Sequence, residues 1–420
     1  MPAASAATDD VLILGGGVIG LACAHYLLEA GRSVRILERG VVGAATSFGN
    51  CGTITPSHAP PLAAPGVIAK ALRWMRQPDA PLYIQPRFDP ALARWLLRFA
   101  MRCNARDWQE SAVAKFALLD HSRREIEALV GRLSLACEFS ASGLRYVYRS
   151  REALAQALAE LPKLHEFGIA TRTLDGQGLA DAEPALLPGM AGAIEFPGDA
   201  QFRPDAFTRE LARSLRARGA VIEEGIAVTG FDATKGRIDS VGTAQGRFRA
   251  RDVVAAFGPW SPAMLRELRL RLPIQPGKGY SITWSRPTIA PRMPMVLRER
   301  SVCVTAWAGG FRLGSTMEFS GYDASLNRTR LAALERAARE YLREPAGPER
   351  REEWFGWRPM TWDDLPLIGR APAYGNLWLA TGHGMMGMSM SAGTGQLLSQ
   401  LVTGGETPID PRPYRPQRFA

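Results

Sequence analysis

Three glycines and one acid early in the sequence have the types and spacing needed to hold a pyrophosphate and a ribose. The glycines are Gly15, Gly17 and Gly20, in the pattern G-x-G-x-x-G, and an acid, Glu38, follows 18 positions after the last of them. Gly15 permits a tight turn, Gly17 lets the backbone approach a pyrophosphate, and Gly20 lets a helix pack closely on a strand. A carboxylate at Glu38 accepts hydrogen bonds from a ribose and repels a 2′-phosphate. The pattern predicts a site for FAD or NAD rather than NADP, and its place near the start of the sequence favours FAD.

The residues around these glycines predict a strand–helix–strand unit that positions them. The apolar run 11–14 has the composition of a strand buried on both faces, and a helix is predicted over residues 18–29 with Gly31 just past its end. Residues 33–37 form the second predicted strand, which places Glu38 at its carboxyl end. The first turn of the helix adds two candidate cofactor-binding residues, Val18 and Ile19. The alternative is a glycine-rich turn in another βαβ unit, which the complete context disfavours.

The loop over residues 39–53 consists mostly of small residues, four of them glycines. Such a loop has many exposed backbone N–H groups and little side-chain bulk, which suits wrapping a phosphate-bearing cofactor. A surface loop of the same composition is an equally good interpretation. The candidate cofactor-binding residues in the loop are Arg39, Thr46, Ser47, Asn50 and Gly52.

Towards the other end of the sequence, the segment GWRP places Arg358 between Trp357 and Pro359. A guanidinium in a dry site binds a carboxylate through two parallel hydrogen bonds. Arg358 is therefore a candidate for binding the carboxylate of a small substrate. The alternative is a structural arginine, because most of the 51 lysines and arginines must lie on the surface.

Length and composition restrict the class of protein. A chain of 420 residues with 46% hydrophobic and 22% charged residues is ordinary for a globular protein, most simply with two intermeshed domains. The net charge of +10 is spread along the sequence without an RNA-binding signature, so no nucleic-acid partner is expected. Five cysteines and five histidines are scattered, which argues against disulfides and a metal site and favours a reducing, cytoplasmic compartment. We expect neither a signal peptide in residues 1–8 nor a membrane-spanning segment.

Seven stretches of the sequence resemble one family of flavoenzymes, and the last two are the most specific. They are LILGGGVIGLACAHYL, TSFGNCG, SHAPPLAAPG, PIQPGKGYSIT, RLGSTMEFSGYD, GWRPMTWDDLPLIG and NLWLATGHGMMGMSMSAGTGQLLSQLV. Over essentially the whole chain they are similar to the FAD-dependent amino-acid oxidoreductases, the group of D-amino-acid oxidase, glycine oxidase and sarcosine oxidase. Within that group the chain most resembles the bacterial D-amino-acid dehydrogenases.

The resemblance implies an α/β fold in which a Rossmann-type FAD-binding domain is interleaved with an α+β substrate domain built on an antiparallel sheet. Strands broken by glycine and proline over residues 272–317 agree with such a sheet. The predicted FAD-binding domain comprises residues 8–53, 201–270 and 355–410. The predicted substrate domain comprises residues 54–200 and 271–354. The sarcosine-oxidase branch links its flavin to a cysteine in the C-terminal part; no cysteine follows Cys303 here, so FAD is expected to be non-covalent.

The resemblance also implies roles for single residues. Arg358 matches the arginine that binds the substrate carboxylate, and Tyr280, in GKGY, lies in a segment close to the substrate. Val228 matches a position that contacts adenine through its backbone, and Gly258 lets the backbone pass close to the flavin or its diphosphate. The alternative for Tyr280 is half-buried packing in a strand. His58 stands where the dehydrogenases tend to carry a tyrosine, so it is a candidate substrate contact and leaves the choice of substrate open.

Residues 381–396 form a glycine-rich turn that leads into a helix of small residues. By the resemblance, the free N–H groups and the positive end of this helix face the flavin and stabilise its anionic reduced form. His383 is expected near the ring, as a catalytic residue beside Arg358 and Tyr280. The candidate cofactor-binding residues are Gly382, His383, Gly384, Met385, Met386 and Gly387. The methionines could equally fill the core.

The reaction implied by the resemblance is oxidative deamination of a D-amino acid, or of a cyclic D-imino acid such as D-proline or D-hydroxyproline, by hydride transfer from Cα to flavin N5. The electrons then pass to a quinone or another non-oxygen acceptor. The first alternative is a glycine- or sarcosine-type amine oxidase that uses oxygen. A remoter one is an NAD-dependent dehydrogenase or a nucleotide-binding regulator.

Basic and aromatic residues are interleaved over residues 69–108. Such a stretch can lie on an anionic membrane surface, which would suit a quinone-linked dehydrogenase on the inner face of the cytoplasmic membrane. An ordinary helix that packs inward and keeps its arginines in solvent is the preferred interpretation. The sequence predicts no oligomeric state.

Overall fold

A computed structural model of the chain describes residues 9–75 and 80–419. The predicted leader 1–8, whose last residue begins the predicted FAD-binding domain, lies outside the described part. Residues 76–79, inside the basic and aromatic stretch, lie outside it as well.

Helices and strands alternate along the described residues. The helices are α1 (Val18–Glu29), α2 (Val67–Trp74), α3 (Pro90–Arg102), α4 (Ala105–Leu133), α5 (Arg151–His165), α6 (Gly176–Ala182), α7 (Pro204–Ala217), α8 (Ser261–Met264), α9 (Arg328–Arg339) and α10 (Ser391–Thr403). The strands are β1 (Asp9–Leu14), β2 (Val34–Leu37), β3 (Thr53–Ile54), β4 (Leu82–Ile84), β5 (Leu144–Tyr148), β6 (Arg172–Asp175), β7 (Gly192–Phe196), β8 (Ala200–Gln201), β9 (Val221–Glu223), β10 (Val228–Thr234), β11 (Arg237–Thr243), β12 (Gly246–Phe248), β13 (Ala250–Ala255), β14 (Gln275–Trp284), β15 (Met295–Leu297), β16 (Val302–Trp307), β17 (Gly310–Phe319), β18 (Arg350–Met360), β19 (Leu367–Arg370) and β20 (Leu377–Thr381). None of the helices within the described ranges is long and apolar enough to cross a membrane.

A six-stranded sheet contains the predicted strand–helix–strand unit. Its order is β19–β20–β13–β1–β2–β9, with parallel pairing except between β19 and β20. β1 lies near the middle, and the four residues 11–14 are at most 1% exposed because both faces of the sheet are covered. The predicted order of β1, α1 and β2 is confirmed, and α1 has the predicted bounds.

Helices α1, α4, α7 and α10 pack on one face of this sheet and form a large apolar core. Small residues let α10 approach α1 closely. A Cβ atom at Gly395 would stand 2.5 Å from the carbonyl oxygen of Ala22, so any larger residue at that position would separate the two helices. The opposite face is covered in part by the three-stranded sheet β10–β11–β12.

A nine-stranded, mostly antiparallel sheet forms the second layer. Its order is β18–β14–β17–β16–β15–β5–β7–β6, with β4 beside β17. Helix α9 covers one face, where Leu331 and Leu334 join an apolar core with side chains of β14, β16 and β17. The predicted antiparallel sheet over residues 272–317 is confirmed by these pairings.

Two parts of the chain depart from the predicted division into domains. The predicted boundary at residue 355 falls inside β18, which pairs with β14 along the antiparallel sheet, so residues 355–360 belong to that sheet. Helix α4 was assigned to the substrate domain, yet it packs against α10 in the core of the parallel sheet. The reason is that strand pairing and helix docking join residues distant in the sequence and do not follow the sequence boundaries taken from the resemblance. The remaining division stays a prediction.

Candidate active site

A cavity of about 1130 Å³ lies between the carboxyl edge of the parallel sheet and one face of the antiparallel sheet. The turns after β1, β2, β13 and β20 form one wall, and β16, β17 and β18 contribute to the other. The predicted site residues that line it are Gly15, Gly17, Val18, Ile19, Glu38, Arg39, Thr46, Ser47, Asn50, Gly52, His58, Val228, Gly258, Tyr280, Arg358, His383, Gly384, Met385, Met386 and Gly387. Gly20 and Gly382 lie outside the lining.

The turn between β1 and α1 has the geometry for which its glycines were singled out. Gly15 has a φ of +114°, and a Cβ atom there would stand 2.5 Å from the carbonyl oxygen of Ala256. A side chain at Gly20 would collide with the carbonyl oxygen of Gly15, so this glycine permits the close packing of α1. Around Gly17, the nearest atom to a Cβ would be Ser47 Oγ at 3.4 Å, so the turn has room on its cavity side.

Glu38 is held at the end of β2 by backbone donors. Its Oε2 accepts a hydrogen bond from the N–H of Gly16 at 2.7 Å, and its Oε1 accepts one from the N–H of Gly40 at 2.9 Å. Each carboxylate oxygen keeps further lone pairs for a ligand hydroxyl. Beside it, the backbone of Ile226 donates to the Glu38 carbonyl at 2.9 Å, which brings Val228 to the same end of the cavity.

The predicted cofactor loop is fixed by its own side chains. The amide of Asn50 donates to the carbonyl of Ser47 at 2.9 Å and accepts from the N–H of Gly52 at 2.8 Å. The hydroxyl of Thr46 donates to the carbonyl of Trp357 at 2.8 Å. These contacts show that Asn50 and Thr46 stabilise the loop, and their predicted contact with the cofactor stays a prediction.

Arg312 ties this loop to the antiparallel sheet and was missed by the sequence analysis. Its Nη1 donates to the carbonyls of Phe48 at 3.1 Å and Asn50 at 2.8 Å, and its Nε donates to Thr283 Oγ1 at 2.8 Å. The available signal was an arginine between apolar residues in the predicted strand 311–315, and this pattern does not show that its guanidinium reaches the loop.

Arg358 presents a half-buried cation to the cavity. It lies on β18 opposite Gly277, and its guanidinium covers Gly279, where a side chain would collide with it. Its Nη1 donates to the carbonyl of Thr316 at 2.6 Å, and no carboxylate partner is found within residues 9–75 and 80–419. Burial lowers the pKa of Arg358 to about 10, so the group stays charged at neutral pH. A buried cation without a counter-ion is suited to an anionic ligand.

Tyr280 contributes to the lining, but its hydroxyl is turned away from Arg358. Successive side chains of a strand point to opposite faces, and Gly279 occupies the face that carries the guanidinium. The Tyr280 hydroxyl donates to Glu318 Oε2 at 3.1 Å, and the ring belongs to the core beneath α9. The expectation that this side chain contacts the substrate as a catalytic residue is corrected, and the packing alternative describes its position.

Two neutral imidazoles line the cavity. His58 Nε2 is 3.0 Å from the hydroxyl of Tyr146, while its Nδ1 is buried and has no hydrogen-bond partner in the described part of the chain. His383 Nε2 is 3.0 Å from Thr394 Oγ1 on α10. Burial lowers the pKa of each histidine to about 3, so neither carries a charge at neutral pH. Tyr146, which the sequence analysis did not select, is covered by the guanidinium of Arg298 at 4.6 Å.

The glycine-rich turn after β20 reaches the cavity through a 3₁₀ turn. This turn covers Gly384–Met386, and α10 begins only at Ser391. Gly382 has a φ of +80° and packs against Leu367, where a Cβ atom would stand 2.8 Å from the nearest side-chain atom. The positive φ and the close packing at position 382, and not a ligand, therefore require the glycine.

Known proteins resemble this chain over its whole length. The model of the DAO family, described as FAD dependent oxidoreductase, matches residues 10–401. A D-amino acid dehydrogenase from Methylobacterium sp. (strain 4-46) is 36% identical, covering 97% of this chain and 99% of the relative. The chain belongs to the DAO family of FAD-dependent oxidoreductases.

A second relative and one solved structure are also similar to this chain. A D-amino acid dehydrogenase from Chromohalobacter salexigens is 36% identical over 98% of this chain and 100% of the relative. The solved structure of glycine oxidase from Geobacillus kaustophilus superimposes with a TM-score of 0.77 at 22% identity, covering 97% of this chain and 98% of that one. That structural likeness concerns the fold alone.

The groups at the parallel-sheet side of the cavity fit the FAD of this family. The turn at Gly17 is open towards the cavity, and Gly258, with a φ of +55°, has no atom within 4 Å of a Cβ position. Both leave the backbone accessible to a flat or phosphate-bearing group. Glu38 offers acceptors for a ribose, so Gly17, Glu38, Val228, Gly258 and the 3₁₀ turn are the candidates to hold the cofactor.

Proposed function

We propose that this protein catalyses FAD-dependent oxidative deamination of D-amino acids, including cyclic D-imino acids such as D-proline, with a quinone or another non-oxygen acceptor. The single observation that carries the proposal is Arg358, a half-buried cation in the cavity with a carbonyl partner but no carboxylate partner in the described chain. The names of the two relatives, D-amino acid dehydrogenase, give the substrate class.

In this proposal, Arg358 binds the substrate carboxylate and orients the α-carbon. A guanidinium that is already desolvated loses little hydration when the carboxylate arrives, so the pair forms a strong bidentate contact. The FAD, when bound, accepts a hydride from the substrate. Arg358 therefore contributes by positioning the Cα–H bond, which is the main source of rate in such a site.

The remaining side chains keep the site dry and leave the amine uncharged. Met317, Met360 and Met385 line the cavity near Arg358 and exclude water. His58 contacts the substrate amine through Nδ1, the ring atom without a partner in the described residues. Because both cavity histidines are neutral, they do not repel a cationic amine as it enters and loses its proton.

The test is anaerobic stopped-flow absorbance of the purified yellow protein, mixed separately with D- and L-amino acids, D- and L-proline, hydroxyproline isomers, glycine and sarcosine. We expect the D-compounds alone to bleach the flavin band, and an added quinone to restore it faster than air does. Heat denaturation should release the FAD into solution, as expected for non-covalent binding. Bleaching by glycine or sarcosine with rapid recovery in air would instead identify an amine oxidase, and a colourless protein would contradict the proposal.

A surface beside the cavity suits contact with a membrane that holds the quinone. None of the residues of α2 is buried, and the apolar side chains of Ile68 and Leu72 are 43% and 59% exposed. On α3, Leu97 is 63% exposed, although Leu92 and Trp95 pack inward. Basic residues flank these side chains, namely Lys70, Arg73, Arg94 and Arg98.

Several of these apolar side chains also line the cavity, among them Ile68, Leu72 and Leu97. An exposed apolar surface flanked by cations is the pattern of a protein that lies on an anionic bilayer. Docking through α2 and α3 would therefore bring the cavity to the inner face of the cytoplasmic membrane. The exposed side chains of α2 favour contact of this helix with a membrane. The inward-packing side chains of α3 favour an ordinary helix for that part of the stretch.

A further inference from the structure

Two thiols meet in the cavity although 252 positions separate them in the sequence. Cys51, in the loop between β2 and β3, and Cys303, on β16, both line the cavity and are both unoxidised. The Sγ of Cys51 donates to the backbone carbonyl oxygen of Cys303 at 3.9 Å. The reaction proposed above uses neither thiol.

A missing side chain on the neighbouring strand makes this contact feasible. Gly314 on β17 is paired directly with Cys303 on β16. A Cβ atom at Gly314 would stand 2.6 Å from the Sγ of Cys51, so the glycine leaves the space that the Cys51 side chain occupies. Arg312 holds the loop in place through the carbonyl of Asn50 at 2.8 Å, next to Cys51 in the sequence. The pairing of β16 with β17 and the missing side chain at Gly314 therefore place the two thiols next to each other.

The surroundings make the two thiols chemically unequal. The hydrogen bond from Cys303 lowers the pKa of Cys51, and the guanidinium groups of Arg312 and Arg358 act in the same direction against the effect of burial. The same hydrogen bond, together with burial, raises the pKa of Cys303. Cys51 is thus the thiol that ionises more readily and is the better nucleophile of the two, and Cys303 ionises less readily.

We propose that Cys51 and Cys303 form a peroxide-sensitive thiol pair that closes to a disulfide across the cavity wall. The Cys51 thiolate attacks one oxygen of a hydroperoxide, which breaks the O–O bond and gives a sulfenic acid and an alcohol, or water from hydrogen peroxide. The Cys303 sulfur then attacks the sulfenic sulfur and releases water. The two thiols lose two protons and two electrons, and the peroxide is reduced by the same two electrons.

The disulfide would disturb the site beside Arg358. The sulfurs must approach to about 2.05 Å, which draws the loop carrying Cys51 towards β16. The same step removes the ionisable thiol of Cys51, which interacts electrostatically with the guanidinium of Arg358. We expect turnover of the oxidised holoenzyme to fall by roughly 100-fold, the scale of a displacement of about 1 Å in a catalytic site. Reduction by dithiothreitol should restore it.

The test treats FAD-loaded, substrate-free enzyme with hydrogen peroxide, blocks the remaining thiols, and maps the peptides by mass spectrometry without reduction. The expected product is a single cross-linked pair that joins the Cys51 and Cys303 peptides with the loss of two hydrogen atoms, and dithiothreitol should separate it. Turnover is measured on the same samples before and after dithiothreitol. A Cys51 sulfinic acid without a cross-link, or a cross-link to another cysteine, would overturn the proposal.

Matched variants separate this pair from the other thiols. Cys303→Ser should give a peroxide-treated enzyme with no cross-link, whereas Cys103→Ser, at the half-buried end of α3 outside the cavity lining, should behave as the wild type. If Cys303→Ser fails to retain flavin, the wild-type peptide map decides alone. A loss of turnover in Cys51→Ser that equals the loss in the wild type and is reversed by dithiothreitol would exclude the pair, because this variant can form neither the sulfenic acid at position 51 nor the disulfide.

Discussion

The guanidinium of Arg358 is the residue on which the proposed chemistry depends. Buried cations ordinarily have a carboxylate partner, because a lone charge in a dry site is costly. Arg358 instead has the carbonyl of Thr316 at 2.6 Å and a pKa lowered to about 10 by burial. Its charge therefore remains available for the carboxylate of a ligand.

Replacing Arg358 with methionine should abolish carboxylate binding while keeping the side-chain bulk. We expect kcat/KM for a D-amino acid to fall by roughly 1000-fold, since truncating one partner of a buried charge pair costs about 4 kcal/mol. Arg358→Lys should recover only part of the loss because lysine lacks the planar fork. The control is Arg209→Met on the exposed side of α7, and flavin absorbance checks that each variant is loaded. Equal kcat/KM in wild type and Arg358→Met would contradict this role.

Asp199 is a second residue whose burial has a measurable consequence. Its carboxylate is 1% exposed and accepts hydrogen bonds from the N–H of Ser57 at 3.1 Å and the hydroxyl of Ser57 at 2.5 Å. Burial raises the pKa of Asp199 from 3.8 to about 7. The folded protein thus binds this proton more tightly than the unfolded chain does. The stability it contributes is complete below pH 3.8 and is lost as the pH rises through about 7.

Asp199→Asn should remove this part of the pH dependence. The amide can still accept from the N–H and donate to the hydroxyl of Ser57, but it does not titrate. Between about pH 3 and about pH 8, the unfolding free energy of the wild type should fall relative to the variant by at most ~4 kcal/mol, the value of a shift of about three pKa units. Urea denaturation at several pH values measures the difference, and parallel curves would refute the assignment.

Among the elements, the strand–helix–strand unit at the start of the chain could be predicted because each of its glycines has a separate steric reason. The face of a strand could not be predicted in the same way. In GKGY, neither the glycines nor the lysine reveal which side chains point to the cavity, so the sequence left both a substrate contact and packing open for Tyr280, whose hydroxyl donates to Glu318. Contacts between distant strands, such as that of Cys51 with Cys303, leave no local pattern at all.

The absence of a side chain at Gly279 on β14 leads to a testable prediction. Gly279 leaves room for the guanidinium of Arg358, which a Cβ atom would contact at less than the normal distance. Gly279→Ala should displace the guanidinium and lower kcat/KM roughly 10-fold or more, with flavin content unchanged. Gly310→Ala, at the start of β17 where the nearest atom is 3.7 Å from a Cβ position, is the matched control. Equal kinetics in the two variants would show that the strand does not set the position of Arg358.

For the whole molecule, the interleaving of two sheets was predictable from the order of the motifs, whereas the docking of particular helices was not. Helix α4 lies within the predicted substrate region in the sequence but packs on α10. Its choice of partner depends on which faces remain uncovered after both sheets form. The exposed surface of α2 and α3 could not be predicted from the sequence either, because the exposure of a side chain depends on the folded structure of the whole chain.

The exposed surface of α2 and α3 predicts membrane binding by the intact protein. The double variant Leu72→Asp and Leu97→Asp should lose co-sedimentation with vesicles that contain phosphatidylglycerol, since each aspartate adds charge to the inserted face. Ile289→Asp, on the loop after β14 and 39% exposed, is the control for a general loss of surface hydrophobicity. Binding by the double variant equal to that of the wild type would contradict the proposed surface, and added salt should weaken wild-type binding.

The cavity is lined by residues from Gly15 near the start of the described chain to Met388 near its end. The parallel sheet also needs β20, beside β13, before its carboxyl edge is complete. A chain still on the ribosome therefore lacks one wall of the site until almost all of it has been translated. Stable binding of FAD must therefore follow synthesis, and the first strand–helix–strand unit of a growing chain holds no cofactor until then. Supply of the cofactor to newly released chains then sets how quickly active enzyme accumulates in the cell.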